Sequence, residues 1–139
     1  MLTVATANRY MAVEAAALKD LGDVRSLQAR FVWTRDDSYG FPTIVDVFRN
    51  YVPGARLIKG DCASAAVLGQ WSLSNIGIPA TKYMLWSSNA PVGHSICISD
   101  DHRIVIGNIS VVEIEPGDNW QANVFALWNG AYDRMDVVG

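Results

Sequence analysis

The chain has 139 residues, of which 50% are hydrophobic and 18% charged, and this size suits one domain with a single adequate core. Fourteen acidic and eleven basic side chains give a net charge of -3 with no basic run, which argues against a nucleic-acid partner. The longest apolar stretches are about five to seven residues, far below the roughly 20 that a membrane-spanning helix needs.

The beginning of the chain has no basic segment, and polar Asn8 and Arg9 interrupt its apolar run. A secretory leader needs a basic start followed by an uninterrupted apolar stretch. We therefore expect a cytoplasmic protein without a membrane partner, and export by a route that needs no leader stays open.

Helical patterns come first along the chain. Thr6 to Leu21 is rich in alanine with apolar residues at helical spacing, and Gly22 is the predicted stop. Phe41-Pro42 favours the start of a second helix, because proline suits the first turn, and Pro53-Gly54 would end it. These signals predict two helices before residue 55.

A third helix is predicted from Cys62 to Asn75. Asp61 is a good N-cap, and Gly77 followed by Pro79 is a typical C-terminal signal. One face of this helix consists mostly of small residues: Cys62, Ala66, Gly69 and Leu73. We expect a strand to approach this face closely.

From Ala80 onward, short apolar runs separated by polar turns replace the helical pattern. The runs are Tyr83 to Trp86, Ser95 to Ile98 and Arg103 to Ile106. Within Leu127 to Tyr132, the pair Asn129-Gly130 suits a type I′ hairpin turn. Helices followed by antiparallel strands indicate an α+β domain, extending over residues 1–139.

The candidate nucleophile is Cys62. A cysteine in the first turn of a helix has unpaired backbone N–H groups and the helix dipole nearby, which stabilise a thiolate and can hold an oxyanion. The alternative is a small buried apolar residue, as most free cysteines are. His94 opens an apolar strand and is the candidate base, whereas His102 lies in a polar turn and is expected to be solvated.

Asn108 is the candidate third residue. A three-residue loop from Asp100 to His102 would pair Ile98 with Ile104 and His94 with Asn108, and would sort the isoleucines onto one face. The amide could then orient the imidazole, as in Cys-His-Asn enzymes. The alternative is a turn asparagine before Ile109.

The second cysteine, Cys97, would point away from His94 in that register and pack under whatever covers the other face of the sheet. A disulfide between Cys62 and Cys97 is a weaker alternative. Zinc sites show closely spaced pairs of ligands, and this chain has no such pair, so we expect neither a metal nor another cofactor.

These motifs resemble the transglutaminase-like superfamily, in particular the bacterial transglutaminase-like cysteine proteinases. The elements that carry the resemblance, between about Asp36 and Trp128, are Gly60-Asp61-Cys62, the helix end Leu73-Ser74-Asn75-Ile76-Gly77-Ile78-Pro79-Ala80, Gly93-His94-Ser95 and Gly107-Asn108. The resemblance implies a papain-like α+β fold in which N-terminal helices precede a nucleophile helix packed on an antiparallel sheet. It also implies that Cys62, His94 and Asn108 are catalytic.

The chain departs from the family pattern in two places. Ala63-Ser64 follows the cysteine where members often carry acidic or aromatic residues, and Asn108 stands where aspartate is more common. Gln28 and Trp33 precede the cysteine and are candidates for the upstream oxyanion donor.

The leading interpretation is acyl transfer through a thioester at Cys62, as in peptidases, amidases, deamidases and transglutaminases. The substrate would be a peptide, a protein or a cell-wall peptide. The alternative is an inactive member of the same fold that binds a partner through a groove lined by its five tryptophans and five tyrosines. A third class, a metal-binding regulator, would carry bound zinc.

Overall fold

The computed structural model describes residues 1–35 and 40–139, so the first four residues of the stretch that begins at Asp36 lie outside it. Within the described residues the helices are α1 Val4–Ala17, α2 Leu21–Ala29, α3 Ile44–Arg49, α4 Cys62–Asn75 and α5 Trp120–Ala126. The strands are β1 Phe31–Trp33, β2 Tyr51–Val52, β3 Leu57–Gly60, β4 Ala80–Ser87, β5 Ala90–Ser99, β6 Ile104–Gly107, β7 Ser110–Glu113 and β8 Arg134–Val137.

The predicted end of the first helix at Gly22 is wrong, because a second helix begins there. The Asp20 carboxylate accepts a hydrogen bond from the Asp23 N–H (3.0 Å), and the Asp23 carboxylate accepts one from the Asp20 N–H (3.2 Å). This reciprocal capping satisfies two N–H groups that would otherwise lack acceptors. A strong N-cap therefore outweighs one glycine, and Gly22 lies in the first turn of α2.

The second predicted helix is shorter than expected. Thr43, not Phe41-Pro42, starts α3, since its hydroxyl accepts a hydrogen bond from the Asp46 N–H (3.2 Å). The helix ends at Arg49, and Tyr51–Val52 then pairs with β3 as an antiparallel strand. The chain thus leaves the helix before Pro53-Gly54.

The prediction for α4 is confirmed at both ends, with Asp61 as the N-cap. The expected close approach of a strand is also confirmed. A Cβ atom placed on Gly69 would lie only 2.9 Å from Cγ2 of Ile106 on β6. Helix and sheet can therefore pack at this distance only because residue 69 has no side chain.

The five-stranded sheet confirms the α+β class and the antiparallel sheet beneath the cysteine helix. Its order is β7-β6-β5-β4-β8, and all neighbours are antiparallel. A second sheet has the order β1-β3-β2, with β1 parallel to β3. The parallel pair brings the end of β1 beside Gly60, immediately before α4 begins.

The predicted register of the β5–β6 hairpin is wrong by one residue. Cys97 pairs with Ile106 and Ile98 with Val105, so the loop has four residues, 100–103, rather than three. The loop closes on Ser99, whose hydroxyl accepts a hydrogen bond from the Ile104 N–H (2.9 Å).

The error has a physical cause, because the sheet is buried on both faces. The face that packs on α4 carries Cys97, Ile104 and Ile106. The opposite face carries Tyr83, Leu85, Ile96, Ile98 and Val105, which pack with Val124 of α5. Isoleucines need not share a face when both faces are apolar, so sorting them onto one face could not determine the register.

The predicted hairpin at Asn129-Gly130 is also wrong. Both residues do have positive φ values (53° and 74°), as a type I′ turn requires. Here they terminate α5 instead, with the Gly130 N–H donating to the Phe125 carbonyl. The chain then continues into β8, which pairs with β4 at the sheet edge.

A buried carboxylate joins the N-terminal helices to the small sheet. Glu14 of α1 is 1% exposed and accepts hydrogen bonds from Arg30, Arg56 and the Tyr51 hydroxyl (2.8 Å). Burial alone would raise the pKa of Glu14, but these hydrogen bonds outweigh it and hold the pKa below its ordinary value. The carboxylate is therefore charged at neutral pH.

No helix within residues 1–35 and 40–139 combines the length and the apolar character that crossing a membrane requires.

Candidate active site

Cys62 is the first residue of α4, as the sequence predicts. The Asp61 carboxylate caps the helix by accepting a hydrogen bond from the Ser64 N–H (3.0 Å). The cysteine is half-buried and has a free thiol. The turn that carries it thus keeps the N–H groups of residues 62 and 63 outside the helical hydrogen bonds, where they are available to a substrate oxygen.

Gly60 fixes how closely β3 approaches this turn. A Cβ atom on Gly60 would lie 2.5 Å from the Ser64 Cβ and 2.7 Å from the Ser64 Oγ. Any side chain at position 60 would therefore push the start of α4 away from the strand. The glycine of the Gly60-Asp61-Cys62 motif is explained by this contact.

His94 lies on β5, opposite Leu85 of β4, and faces the α5 side of the sheet. Its ring lies edge-on to Trp128, with 5.4 Å between centroids, and is stacked near Tyr132 at 6.0 Å with a 17° angle between planes. Burial lowers the pKa of His94 below its ordinary value. The imidazole is consequently neutral at pH 7 and able to accept a proton.

Tyr132 lies beside His94. Burial raises the pKa of Tyr132, and Cys62 adds a smaller effect in the same direction. In the described part of the chain, no hydrogen bond joins Cys62 to His94. The structure thus brings His94 together with Tyr132 on the α5 side of the sheet, whereas α4, which begins at Cys62, packs on the other face.

Asn108 lies in the two-residue turn between β6 and β7, with a φ of 47°. The turn alternative that the sequence left open is therefore the observed conformation, and the predicted pairing with His94 is wrong because of the register. The buried side-chain Oδ1 of Asn108 has no hydrogen-bond partner among the described residues. Asn108 nevertheless lines the same cleft as His94.

Gln28, one candidate for the oxyanion donor, is fully buried, and its amide N–H groups already donate hydrogen bonds. Its side-chain N–H groups donate to the backbone carbonyls of Ala65 (3.2 Å) and Asn108. They are not available to a substrate oxygen in this arrangement. Trp33, the other candidate, is 55% exposed at the end of β1, where it pairs with Gly60.

The cleft beside His94 has a volume of about 490 Å³. Its walls come from β5, β6, the β6–β7 turn, β7 and the segment after α5. The lining residues are His94, Val105, Gly107, Asn108, Ile109, Ser110, Val112, Leu127, Trp128 and Tyr132. A Cβ atom on Gly107 would lie 2.9 Å from the Trp128 ring, so this glycine allows the indole to close one wall.

The remaining candidates are separate from this cleft. Cys97 points away from His94 and is fully buried, as predicted; the element that covers it is α4, and burial raises the pKa of its thiol to about 12. His102 occupies a turn, as predicted, but it is half-buried and stacks on Trp120 with 3.8 Å between ring centroids. Among the described residues, no group of three or more histidine, cysteine or acidic side chains could hold a metal ion.

Sequence reasoning missed Trp128 and Tyr132, which surround the His94 ring. It placed both in a hairpin that does not form. The signal that could have located them is the Asn129-Gly130 pair, since two residues with positive φ also end a helix.

Comparison with known proteins gives little support for a family. No family model matches the chain, and no curated protein matches it. Among solved structures, it is similar to a "putative cysteine protease" from Cytophaga hutchinsonii, with 12% identity and a TM-score of 0.49. The match covers 96% of this chain, which spans about half (49%) of that protein. A likeness at this level does not identify the activity of the chain.

Proposed function

We propose that the chain is a cysteine-dependent acyl-transfer enzyme that acts on peptide or amide bonds through a thioester at Cys62. This proposal covers peptidases, amidases, deamidases and transglutaminases of the transglutaminase-like kind, with peptides, proteins or cell-wall peptides as substrates. The observation that carries it is a half-buried, free thiol at the capped start of α4, in a chain whose strand β5 supplies a neutral imidazole.

In the first half of the reaction, His94 takes the Cys62 proton and the sulfur attacks the substrate carbonyl carbon. The carbonyl oxygen becomes an oxyanion held by backbone N–H groups at the start of α4. The carbon–nitrogen bond then breaks, and the imidazolium returns its proton to the leaving amine. Water or a second amine attacks the thioester by the same route and releases Cys62.

Asn108 is the proposed third residue, and its role is to fix the imidazole rather than to supply charge. Its buried side-chain oxygen has no hydrogen-bond partner among the described residues, and a hydrogen bond from the His94 ring would satisfy it. If the two groups meet during catalysis, Asn108→Asp should raise the His94 pKa and move the acidic limb of the pH–rate profile to higher pH. An unmoved limb would remove Asn108 from the mechanism.

The test is a substrate-library and activity-probe screen of the wild type against Cys62→Ala, with Cys97→Ala as the matched control. Loss of activity in Cys62→Ala alone supports the proposal. A second pair compares His94→Ala, which should abolish activity, with His102→Ala, which should retain it. Equal activity in both histidine variants, with folding confirmed by circular dichroism, would contradict the assignment of the base.

The competing candidate is an inactive binding protein with the same arrangement of elements. The absence of a hydrogen bond between His94 and either Cys62 or Asn108, within the described residues, favours it. The rate of Cys62 alkylation distinguishes the enzyme from the binding protein, because a catalytic thiol reacts quickly below pH 7 and an inert one does not.

A further inference from the structure

The cleft beside His94 carries no charged side chain. Each of its ten lining residues is apolar, aromatic, glycine, serine, asparagine or the neutral histidine. A charged group entering the cleft would lose hydration without meeting an opposite charge, which is strongly unfavourable. The lining therefore selects against acidic and basic side chains.

Two large apolar residues stand exposed at this cleft. Ile109 is 59% exposed at the tip of the β6–β7 turn, and Leu127 is 37% exposed at the end of α5. Exposed apolar side chains that border a concave site gain free energy when an apolar ligand covers them. Their positions on two different elements place apolar contacts on both walls.

Asn108, one of the lining residues, has a buried side-chain oxygen, Oδ1, without a hydrogen-bond partner among the described residues. A buried acceptor without a donor is costly, and structures normally satisfy it. The Gln28 amide does not serve it, since that amide donates to the Asn108 backbone carbonyl instead. A ligand that brings an N–H group into the cleft would remove the cost.

From these three observations we propose that the His94 cleft binds the aliphatic or aromatic side chain of a peptide acyl donor. We also propose that Asn108 Oδ1, whose two lone pairs can serve two donors, accepts that residue's backbone N–H beside the hydrogen bond from His94. The proposal rests on the acyl-transfer function and specifies its substrate class. Ile109 and Leu127 are the residues that determine specificity.

The experiment uses peptidyl vinyl sulfones that differ in one residue, which is leucine, N-methyl-leucine, glutamate or lysine. The leucine probe should alkylate Cys62 at least about tenfold faster than either charged probe, because a charge would be buried unpaired. The N-methyl probe lacks the N–H and should react roughly tenfold more slowly than the leucine probe. Equal rates for the leucine and charged probes would overturn the proposal.

Two variants sharpen the comparison. Leu127→Glu should lower the rate with leucine and raise it with lysine, since the new carboxylate pairs with the ammonium. Val13→Glu adds the same charge at a residue that is 59% exposed on α1, and it should leave every ratio unchanged. An unchanged lysine-to-leucine ratio in Leu127→Glu would contradict the assigned position of the side chain.

Binding is measured separately from reactivity. A leucine peptide amide without the vinyl sulfone should shift the NMR signal of the Trp128 indole, whereas the glutamate peptide should not. If the shift occurs while neither iodoacetamide nor any probe labels Cys62, the acyl-transfer function fails and the binding preference stands. If iodoacetamide labels Cys62 and the probes react alike, the function stands and the preference fails.

Discussion

Substitution of Gly60 by alanine tests how the site is held together. The added Cβ would meet the Ser64 Cβ at 2.5 Å, whereas carbon atoms in contact normally lie about 3.5–4.0 Å apart. The start of α4 must therefore move by about 1 Å. Overpacking of this kind costs about 1–3 kcal/mol, and a reduced entropy of the unfolded chain offsets about 0.4–1 kcal/mol.

We expect Gly60→Ala to lower the free energy of unfolding by about 1–2 kcal/mol in urea titrations. Because Cys62 lies two residues further on, we also expect its alkylation by a peptidyl probe to slow by up to about a hundredfold, the effect of a 1 Å misplacement. Gly54→Ala is the matched control, since a Cβ there would contact nothing within 4 Å.

The clash between a Cβ at position 60 and the Ser64 side chain can also be removed by changing Ser64. Ser64→Gly deletes both atoms that the new Cβ would meet, and the Ser64 hydroxyl has no hydrogen-bond partner among the described residues. The single variant should cost about 0.5–1 kcal/mol through helix propensity. The double variant should be at least about 1 kcal/mol more stable than the sum of the two singles. The reasoning would be refuted if the two substitutions lowered the free energy of unfolding additively, or if Cys62 in Gly60→Ala were alkylated at the wild-type rate.

Three further predictions concern titratable groups. Brief iodoacetamide treatment near pH 6 should label Cys62 and not Cys97, whose thiol is buried with a raised pKa, as peptide mass spectrometry would show. The folded protein holds the pKa of His94 below its unfolded-state value of about 6.5. The contribution of His94 to the free energy of unfolding should therefore be constant above about pH 6.5 and fall as the pH drops below it. In urea titrations, His94→Phe should lose this pH dependence. Glu14→Gln should lower the free energy of unfolding at pH 7 by about 2–4 kcal/mol, because it leaves the partly buried Arg30 without its counter-charge, and an unchanged denaturation midpoint would contradict this.

The sequence predicts α4 well because the signals for it are local. Asp61 caps one end, and Gly77 and Pro79 follow the other, so neighbours within four residues determine the bounds. The end of α1 is predicted wrongly, although the signals there are also local. α1 ends at Ala17, and the mutual hydrogen bonds of Asp20 and Asp23 start α2; a pair of aspartates is a less familiar signal than a glycine.

The register and the surroundings of His94 could not be predicted in this way, because they depend on contacts between distant parts of the chain. A sheet covered by α4 on one face and α5 on the other gives no polar face against which to align its strands. Tyr132 lies beside His94 just before β8, which pairs with β4, and that pairing joins segments about 50 residues apart.

The position of Gln28 bears on where an oxyanion can be held. Its amide has two protons, and the structure uses one on the Ala65 carbonyl of α4 and the other on the Asn108 carbonyl of the β6–β7 turn. Rotating the amide by half a turn would bring its oxygen against both carbonyls, which is unfavourable, so the orientation is fixed. Gln28 therefore ties the helix of Cys62 to the turn of Asn108, and under the proposed mechanism the oxyanion falls to the N–H groups at the start of α4.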